Sequence, residues 1–570
     1  MPNRIKIVTV LFFLSFTVVL GRLFYWQIYK GKELAIQARS QYVGGETIMA
    51  PRGEILASDG SWFVARGDSW LVYAALPKIL EDSKEVAEKL APYFIDSNKT
   101  RKDLLVEIDR LTSLLEKDSA VWIPLKNRVS TGTKTEIEKL NIEGIGFERQ
   151  EIRVYPEASS AAHLLGFVGK SSDGEEQGYF GLEGYYHLTL SGKPGYLSRE
   201  SDARGVPILL GNSQKISAIE GINLVTSIDK PVQLNVNKKL KDGIETYGAA
   251  GGSVIVMDPK SGRVLAMASY PSYDPAEYFK YGDALFNNPV ISSSFEPGSV
   301  FKVIVMASAL DAEVVEPDTK CDICAGPLKI GKYYVKTWNN EYHADSTMID
   351  VIVRSDNVGM AFVGSKLGAN KMYEYLNKFG IGELTGIDLQ GEATPKLRDK
   401  DKWGDIDVAT ASFGQGVAVT PIQIIRAVST IANKGVIVTP HVVDKLSGEG
   451  WEEEIKVNGA ERIISEKAAT QFTAMMVEAA KKGEAKWTHE RGFKVAGKTG
   501  TAQIPIEGHY DEEKTIASFV GFAPYDDPKF IMLVTLHEPS TSPWASETAA
   551  PLWYSIAKNL FPYFGIHPEN

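Results

Sequence analysis

The chain has 570 residues, a formal net charge of -10, 44% hydrophobic and 24% charged residues. That length exceeds one ordinary core and calls for two or more domains. The acidic balance, with no strong Lys/Arg block, argues against nucleic acid as a partner, and two cysteines exclude a disulfide scaffold.

Ile7 to Gly21 (IVTVLFFLSFTVVLG) carries no charge, and Leu23 to Ile28 is again mostly apolar. Together they reach the about 20 residues of a membrane helix. Arg22 interrupts the run near one end, where a long side chain can snorkel to the headgroups, and Tyr25 and Trp26 suit the interface. A cleaved signal peptide would have a shorter apolar region and a small-x-small site soon after it. GRLFYWQIYKGKEL follows instead, so residues 1–30 read as a short cytoplasmic tail and an uncleaved anchor. Arg4 and Lys6 on one side and Arg22, Lys30 and Lys32 on the other leave the orientation open by charge count. No second span of adequate length follows, which puts the rest of the chain on one side of the membrane.

Residues 31–225 read as a mixed α+β domain without a catalytic pattern. Charged helical stretches fall at Asp82–Leu90 and Lys102–Lys117, and glycine-rich punctuation at Ser171–Gly184 and Ser191–Gly195. The pattern changes near Val225, so a second domain is expected over 226–570. There Gly252–Met257 (GSVIVM) reads as a strand, Asp258–Gly262 as a turn and Arg263–Ala268 as the return strand. An apolar helix runs from Ser299 to about Leu310. Thr420-Pro421 opens another, with apolar Ile422, Ile425, Val428 and Ile431 and with Gly435 past its end. Ile516–Phe522 and Phe530–Leu536 are strand-like and Ala549–Phe561 is helix-like. Strands at both ends with helices between imply one α/β sheet closed by distant segments.

Chemistry enters at FEPGSVFKVIVMASAL, Phe295 to Leu310. Ser299 is either a helix cap, with Lys302 a solvated cation, or a nucleophile with its base three residues on. A second Ser-x-x-Lys, Ser227 to Lys230, reads as a chance match, because Pro231 disfavours helical geometry at Lys230. Ser355-Asp356-Asn357 and Lys498-Thr499-Gly500-Thr501 are each common alone. The three patterns in the order SxxK, SxN, KTG are far more specific, the arrangement of penicillin-binding proteins and serine β-lactamases.

Each residue type has its reason. Lys302 can act as a base if burial and a second cation, Lys498, lower its pKa. Ser355 would relay a proton, and Asn357 would orient Lys302 and hold a substrate amide. Strand alternation puts Thr499 and Thr501 on one face, where hydroxyls can grip a carboxylate. Gly500 would leave room for a substrate backbone, and the N–H groups of Ser299 and Thr501 would form an oxyanion hole.

The chain resembles the class B penicillin-binding proteins over nearly its whole length. Beyond the three motifs the likeness lies in GRLFYWQI, PRGEIL, YPEASSAAHLLGFVG, GLEGYYHLTLSGKPG, VIVMDPKSGRVLAMASYPSYDP, GIDLQGE, GQGVAVTPIQ and ASFVGFAP. It implies a transpeptidase domain of the penicillin-binding/serine β-lactamase type, a sheet flanked by helices, preceded by a pedestal of the dimerisation type that includes Arg52 and Gly53. It implies a peptidoglycan D,D-transpeptidase that takes stem peptides ending in D-Ala-D-Ala and is acylated by β-lactams, with no cofactor or metal. The protein would be a single-pass protein of the plasma membrane, its catalytic domain extracytoplasmic. KTWNNEYHADSTM before SDNVGM, and no GHG stretch, resemble the division type, whose partners would be a multispanning glycan polymerase of the SEDS type and other division proteins. One departure is RGEILASDG, where Ala57 and Ser58 replace the family's Asp and Arg. A β-lactamase would need ExxLN, and Glu374-Tyr375-Leu376-Asn377 is one residue short; a β-lactam sensor or noncatalytic scaffold is the remaining alternative. Gly414-Gln415-Gly416 reads as a tight turn beside the active site. The eight histidines show no metal spacing, and Cys321 and Cys324 form either a local disulfide or two buried thiols.

Overall fold

The computed structural model describes residues 2–31, 34, 43–95, 100–117, 120–200, 213–457, 459–506 and 509–569. The chain divides into two compact units, one of residues 1–53 with Ser191–Gly221, the other of Glu54–Leu190 with 222–570.

In the first unit a helix, Pro2–Phe24, continues into a wider turn, Tyr25–Tyr29. Arg4–Tyr29 forms 26 predominantly apolar residues without burial, long enough to cross a membrane. The Arg22 guanidinium lies 5.6 Å from the centre of the Trp26 ring, so the charge that interrupts the apolar run is covered by an aromatic face. Lys32, counted above for orientation, lies outside the described residues. The unit also holds a three-stranded antiparallel sheet of Val43–Ile48, Gly195–Glu200 and Ser213–Ile216.

The second unit contains two large sheets. The first joins Ile55–Leu56, Trp62–Ala74, Ile123–Val129, Ile145–Val154 and Asn223–Thr226 with Val443–Gly448 and Trp451–Glu454. Two helices cover it, Ser83–Phe94 and Arg101–Leu115, within a residue or a turn of the charged stretches read from the sequence. Asp82 caps the first through the N–H of Lys84 at 2.9 Å, and Thr100 with Asp103 forms a capping box on the second. Their apolar stripes, Val86, Leu90 and Leu111, meet Val72 and Leu125 of the sheet. Asn223–Thr226 pairs parallel with Ile55–Leu56 and antiparallel with Val443–Gly448, and so runs through the change of pattern near Val225. Asp388 closes this seam. It accepts from the N–H groups of Val442 (2.7 Å) and Val443 (2.9 Å) and from the Tyr186 hydroxyl (2.9 Å). Burial pushes its carboxyl above the ordinary range.

The second sheet organises the rest. Helix α1 (Lys230–Tyr247) begins at Lys230, where Pro231 was expected to prevent it. Proline is tolerated in a first turn, where its missing N–H is not needed, and Asp229 caps the helix through Val232 N at 3.1 Å. The expected consequence stands: Ser227 lies before the helix, fully buried, its hydroxyl donating to Val264 O at 2.6 Å. Strands β1 (Gly251–Met257) and β2 (Val264–Tyr270) follow, then helices α2 (Lys302–Asp311), α3 (Met348–Val353), α4 (Asn357–Lys378), α5 (Pro421–Ala432) and α6 (Glu466–Lys482). Strands β3 (Ala496–Ile506), β4 (His509–Ala523) and β5 (Phe530–His537) and helix α7 (Ala549–Tyr563) close the chain. The order is β2-β1-β5-β4-β3, antiparallel throughout. β1 is buried along its whole length: Val254 to Met257 are apolar and the Ser253 hydroxyl is paired with that of Thr535 at 2.7 Å. Val254 and Val256 pack with Leu240 of α1 and Trp553 of α7; Ile255 and Met257 pack with the cluster of α2, α5 and α6. Distant segments thus close one sheet between two helical layers. Cys321 and Cys324, both fully buried, form a disulfide, one of the two states the sequence allowed.

Asp388→Ala would leave two buried N–H groups and the hydroxyl of half-buried Tyr186 without their acceptor. At about 1–3 kcal/mol for each orphaned group, the expected loss is roughly 3 kcal/mol or more, read as a lower midpoint in thermal unfolding of the chain freed of its first 30 or so residues.

Candidate active site

Seven backbone segments converge on one cleft of about 80 Å³, lined by Gly298, Ser299, Ser355, Asn357, Thr499 and Thr501 with Glu484, Gln415, Phe413 and the indoles of Trp338 and Trp544. Ser299 does not cap a helix. It sits in a short 3-10 turn, Gly298–Val300, ahead of α2, with no side-chain cap bond. Gly298 has φ +54, and a methyl group there would lie 2.9 Å from Thr501 O. The turn is pinned from the other side by Gly298 N donating to Gly414 O at 3.1 Å, where Gly414 and Gly416 have positive φ. The glycine pair around Gln415 is therefore the tight turn expected beside the site.

Lys302, in the first turn of α2, is fully buried. Its ammonium donates to Ser355 O (2.6 Å), Ser355 Oγ (3.2 Å) and Asn357 Oδ1 (2.8 Å). All three protons are thereby committed, and the solvated-cation reading fails. Burial, then the charge of Lys498, pushes Lys302 down to about 7, against the opposing pull of Glu484 and Asp356. Lys498, on β3, is likewise buried and pushed down by that burial. It donates to Ser355 Oγ (3.0 Å), Thr499 O (3.0 Å) and Thr499 Oγ1 (3.2 Å). Ser355 Oγ accordingly bridges two lysines.

Ser355 occupies the left-handed region, φ +55, between the end of α3 and the start of α4. Asp356 is the cap of α4, accepting from Val358 N (2.8 Å) and Gly359 N (3.1 Å). The middle residue of the Ser-Asp-Asn pattern thus starts a helix, and its neighbours face the chemistry. Asn357 Nδ2 donates to Lys336 O at 3.1 Å, tying the cleft to the segment that carries Trp338. Trp338 and Trp544 stand 5.2 Å apart, both partly exposed.

On β3 the alternation places Thr499 and Thr501 on the cleft side, as expected. Thr501 Oγ1 accepts from Ala545 N at 3.0 Å. At Gly500 a methyl group would lie 2.7 Å from Val300 Cγ1 and 3.0 Å from Val300 N. The glycine therefore admits the Ser299 turn, a role the sequence did not suggest. Sequence reasoning missed Glu484, Trp338 and Trp544. Glu484 follows Gly483 at the end of α6, a place that ordinarily reads as an exposed helix terminus. The arrangement offers a hydroxyl in a rigid turn, a buried amine able to be neutral near pH 7, a hydroxyl joining two amines, and two threonines facing the same space. That is the equipment of acyl transfer through a serine.

Residues 252–560 match the model of the penicillin-binding protein transpeptidase domain, and residues 47–226 that of the penicillin-binding protein dimerisation domain. The chain belongs to the penicillin-binding protein transpeptidases. It is 30% identical over 573 residues to stage V sporulation protein D of Bacillus subtilis, covering 99% of this chain and 87% of that one. It is 28% identical over 561 residues to the peptidoglycan D,D-transpeptidase FtsI of Escherichia coli, covering 98% and 91%. The crystal structure of a peptidoglycan synthetase from Bifidobacterium adolescentis superposes with a TM-score of 0.72 at 26% identity, over 93% of this chain and 98% of that one.

Gly500→Ala should push the Ser299 turn away from β3. A displacement near 1 Å can cost about 100-fold, so the expected result is benzylpenicillin acylation slowed by about 10- to 100-fold with the near-ultraviolet circular dichroism retained.

Proposed function

We propose that the protein is a serine-type peptidoglycan D,D-transpeptidase of the cell-division type. The observation that carries this reading is the buried Lys302–Ser355–Lys498 cluster beside Ser299, in the cleft of a chain that belongs to the penicillin-binding transpeptidases. Neutral Lys302 takes the proton of Ser299, whose Oγ attacks the carbonyl of the penultimate D-Ala. The oxyanion forms against the N–H groups of Ser299 and Thr501. Ser355, bridging both lysines, passes a proton to the departing D-Ala nitrogen as the C–N bond breaks and takes in its place the proton that Lys302 received from Ser299. Thr501, whose hydroxyl proton is free, holds the terminal carboxylate, Thr499 lines the same end of the cleft with its proton on Glu484, and Asn357 orients Lys302 and a substrate amide. An acceptor amine then attacks the acyl carbon and yields a proton to the lysine cluster, and Lys302 returns a proton to Ser299 Oγ as the acyl C–O bond breaks. β-Lactams enter the same path and stop at the acyl-enzyme.

The same reading assigns residues 1–30 to the cytoplasmic tail and anchor, 31–225 to the pedestal and 226–570 to the transpeptidase domain, supported by the two family models and by the apolar helix. The catalytic domain faces the outside, where the substrate is built. A glycan polymerase of the SEDS type and other division proteins are the partners proposed for the anchor and pedestal. The β-lactamase reading has less support: Glu374 is on the surface of α4, paired with Lys378 at 2.7 Å, and is not among the residues lining the cleft.

Incubation with benzylpenicillin should give a stable adduct in the intact mass, mapped by peptide analysis to Ser299. An adduct on Ser227, or rapid turnover of the drug, overturns the assignment. Lys302→Met should slow acylation by at least about 100-fold. The wild-type rate should rise with pH as Lys302 loses its proton, with a midpoint about 7. Lys498→Ala removes a cation that disfavours protonation of Lys302, so the midpoint should move up.

A further inference from the structure

We propose that Glu484 is a positioning residue of the cleft: its carboxylate fixes the Thr499 hydroxyl and balances the two buried ammonium groups behind it. The proposal rests on the transpeptidase reading and adds a residue to it.

Two lysine side chains, Lys302 and Lys498, are buried within reach of one hydroxyl. Two like charges withdrawn from water are costly unless an opposite charge is close. The carboxylates that act on the pair are few. Asp356 is spent on the cap of α4, where its Oδ1 takes two backbone N–H groups. Glu484 forms no ion pair among the described residues, and it lines the catalytic cleft itself. Its Oε2 accepts from Thr499 Oγ1 at 3.1 Å. With its proton directed to Glu484, Thr499 Oγ1 presents its lone pairs to Lys498 Nζ at 3.2 Å. Lys498 donates onward to Ser355 Oγ (3.0 Å), which also receives Lys302 at 3.2 Å. A run of hydrogen bonds therefore links the carboxylate to the Lys302 amine through Thr499, Lys498 and Ser355, and Glu484 fixes the direction of its first bond.

The backbone is shaped to deliver this group. α6 ends at Lys482, and Gly483 lets the chain turn inward: a methyl group there would strike Ala479 O and lie 3.0 Å from Val353 O. The following carboxylate is thus placed under Thr499 by a close approach of α6 to the end of α3. The charge acts on Lys302 in the sense opposite to that of Lys498. Glu484 favours the protonated lysine, as does Asp356, while Lys498 disfavours it.

The test follows benzylpenicillin acylation of the anchor-free chain from pH 5 to 9 for wild type, Glu484→Gln and Glu484→Asp. Removal of the charge should move the acid limb of the profile to lower pH by about half a unit or more, opposite in sign to Lys498→Ala, and should slow acylation at its plateau by about 3- to 30-fold as the Thr499 hydroxyl loses its charged acceptor. Glu484→Asp should restore the position of the limb. A limb that does not move, or moves up, overturns the proposal. So does a Glu484→Gln variant whose only change is slower hydrolysis of the adduct, which would make Glu484 a base for water. Wild type without any adduct on Ser299 would overturn the transpeptidase reading instead, a result the variants do not influence.

Discussion

The site depends on one hydroxyl, that of Ser355, held between two lysine ammonium groups at 3.2 and 3.0 Å. Burying a cation costs several kcal/mol even after relaxation, and here two are buried around a single small acceptor. The backbone at Ser355 is itself strained, in a left-handed conformation that costs a residue with a side chain on the order of 1–3 kcal/mol. Such a conformation persists only where its surroundings dictate it. α3 must stop before Ser355 and α4 must begin immediately after, and the capping bonds of Asp356 enforce the second condition. The helix junction thereby turns Ser355 Oγ and Asn357 Oδ1 toward the same amine.

This explains why the three short patterns carry so much meaning together and so little singly. The partners of Lys302 lie 53 and 55 residues away, and Lys498 meets Ser355 across a separation of 143. No periodicity connects such positions. What the sequence does expose is chemistry in need of company: a serine without a base is inert, and a buried lysine without acceptors is prohibitive. The α/β sheet was legible for a different reason. GSVIVM carries no charge and runs Val-Ile-Val-Met, the pattern of a central strand buried between two layers, and Thr420-Pro421 announces a first turn with a capping partner at Gln423, whose Oε1 takes Thr420 N at 3.0 Å.

What escaped was set by close approach between distant backbones. Ser299 sits in a tight 3-10 turn and not in the expected helix, because Gly298 is gripped between Thr501 and the Gly414 turn. Gly500 serves that same turn. Glu484 follows a glycine at a helix end, where local rules predict a solvated charge, and only the packing of α6 on α3 brings it under Thr499. Local sequence holds no record of which surfaces will touch, so these residues gained their roles from tertiary contact alone.

The departure at Ala57 and Ser58 is answered in the same way. Ala57 is completely buried, with its N–H on Ser61 O at 2.8 Å, so a carboxylate there would have to enter the core. Lys230 reaches Trp62 O at 3.0 Å and Glu157 at 3.0 Å, while Asp229 accepts from the Tyr563 hydroxyl of α7 at 2.8 Å. The first sheet is thus fastened to the start of α1, and α1 to α7, on the face of the second sheet opposite to α2. Ser299 stands on the other side of five buried strands. A disturbance of this fastening can reach the serine only by shifting the sheet as a body, and a sheet packed on both faces resists such a shift. The joint between pedestal residues and catalytic domain is therefore built for stability, while the geometry around Ser299 is fixed locally by α2, the α3–α4 junction and β3.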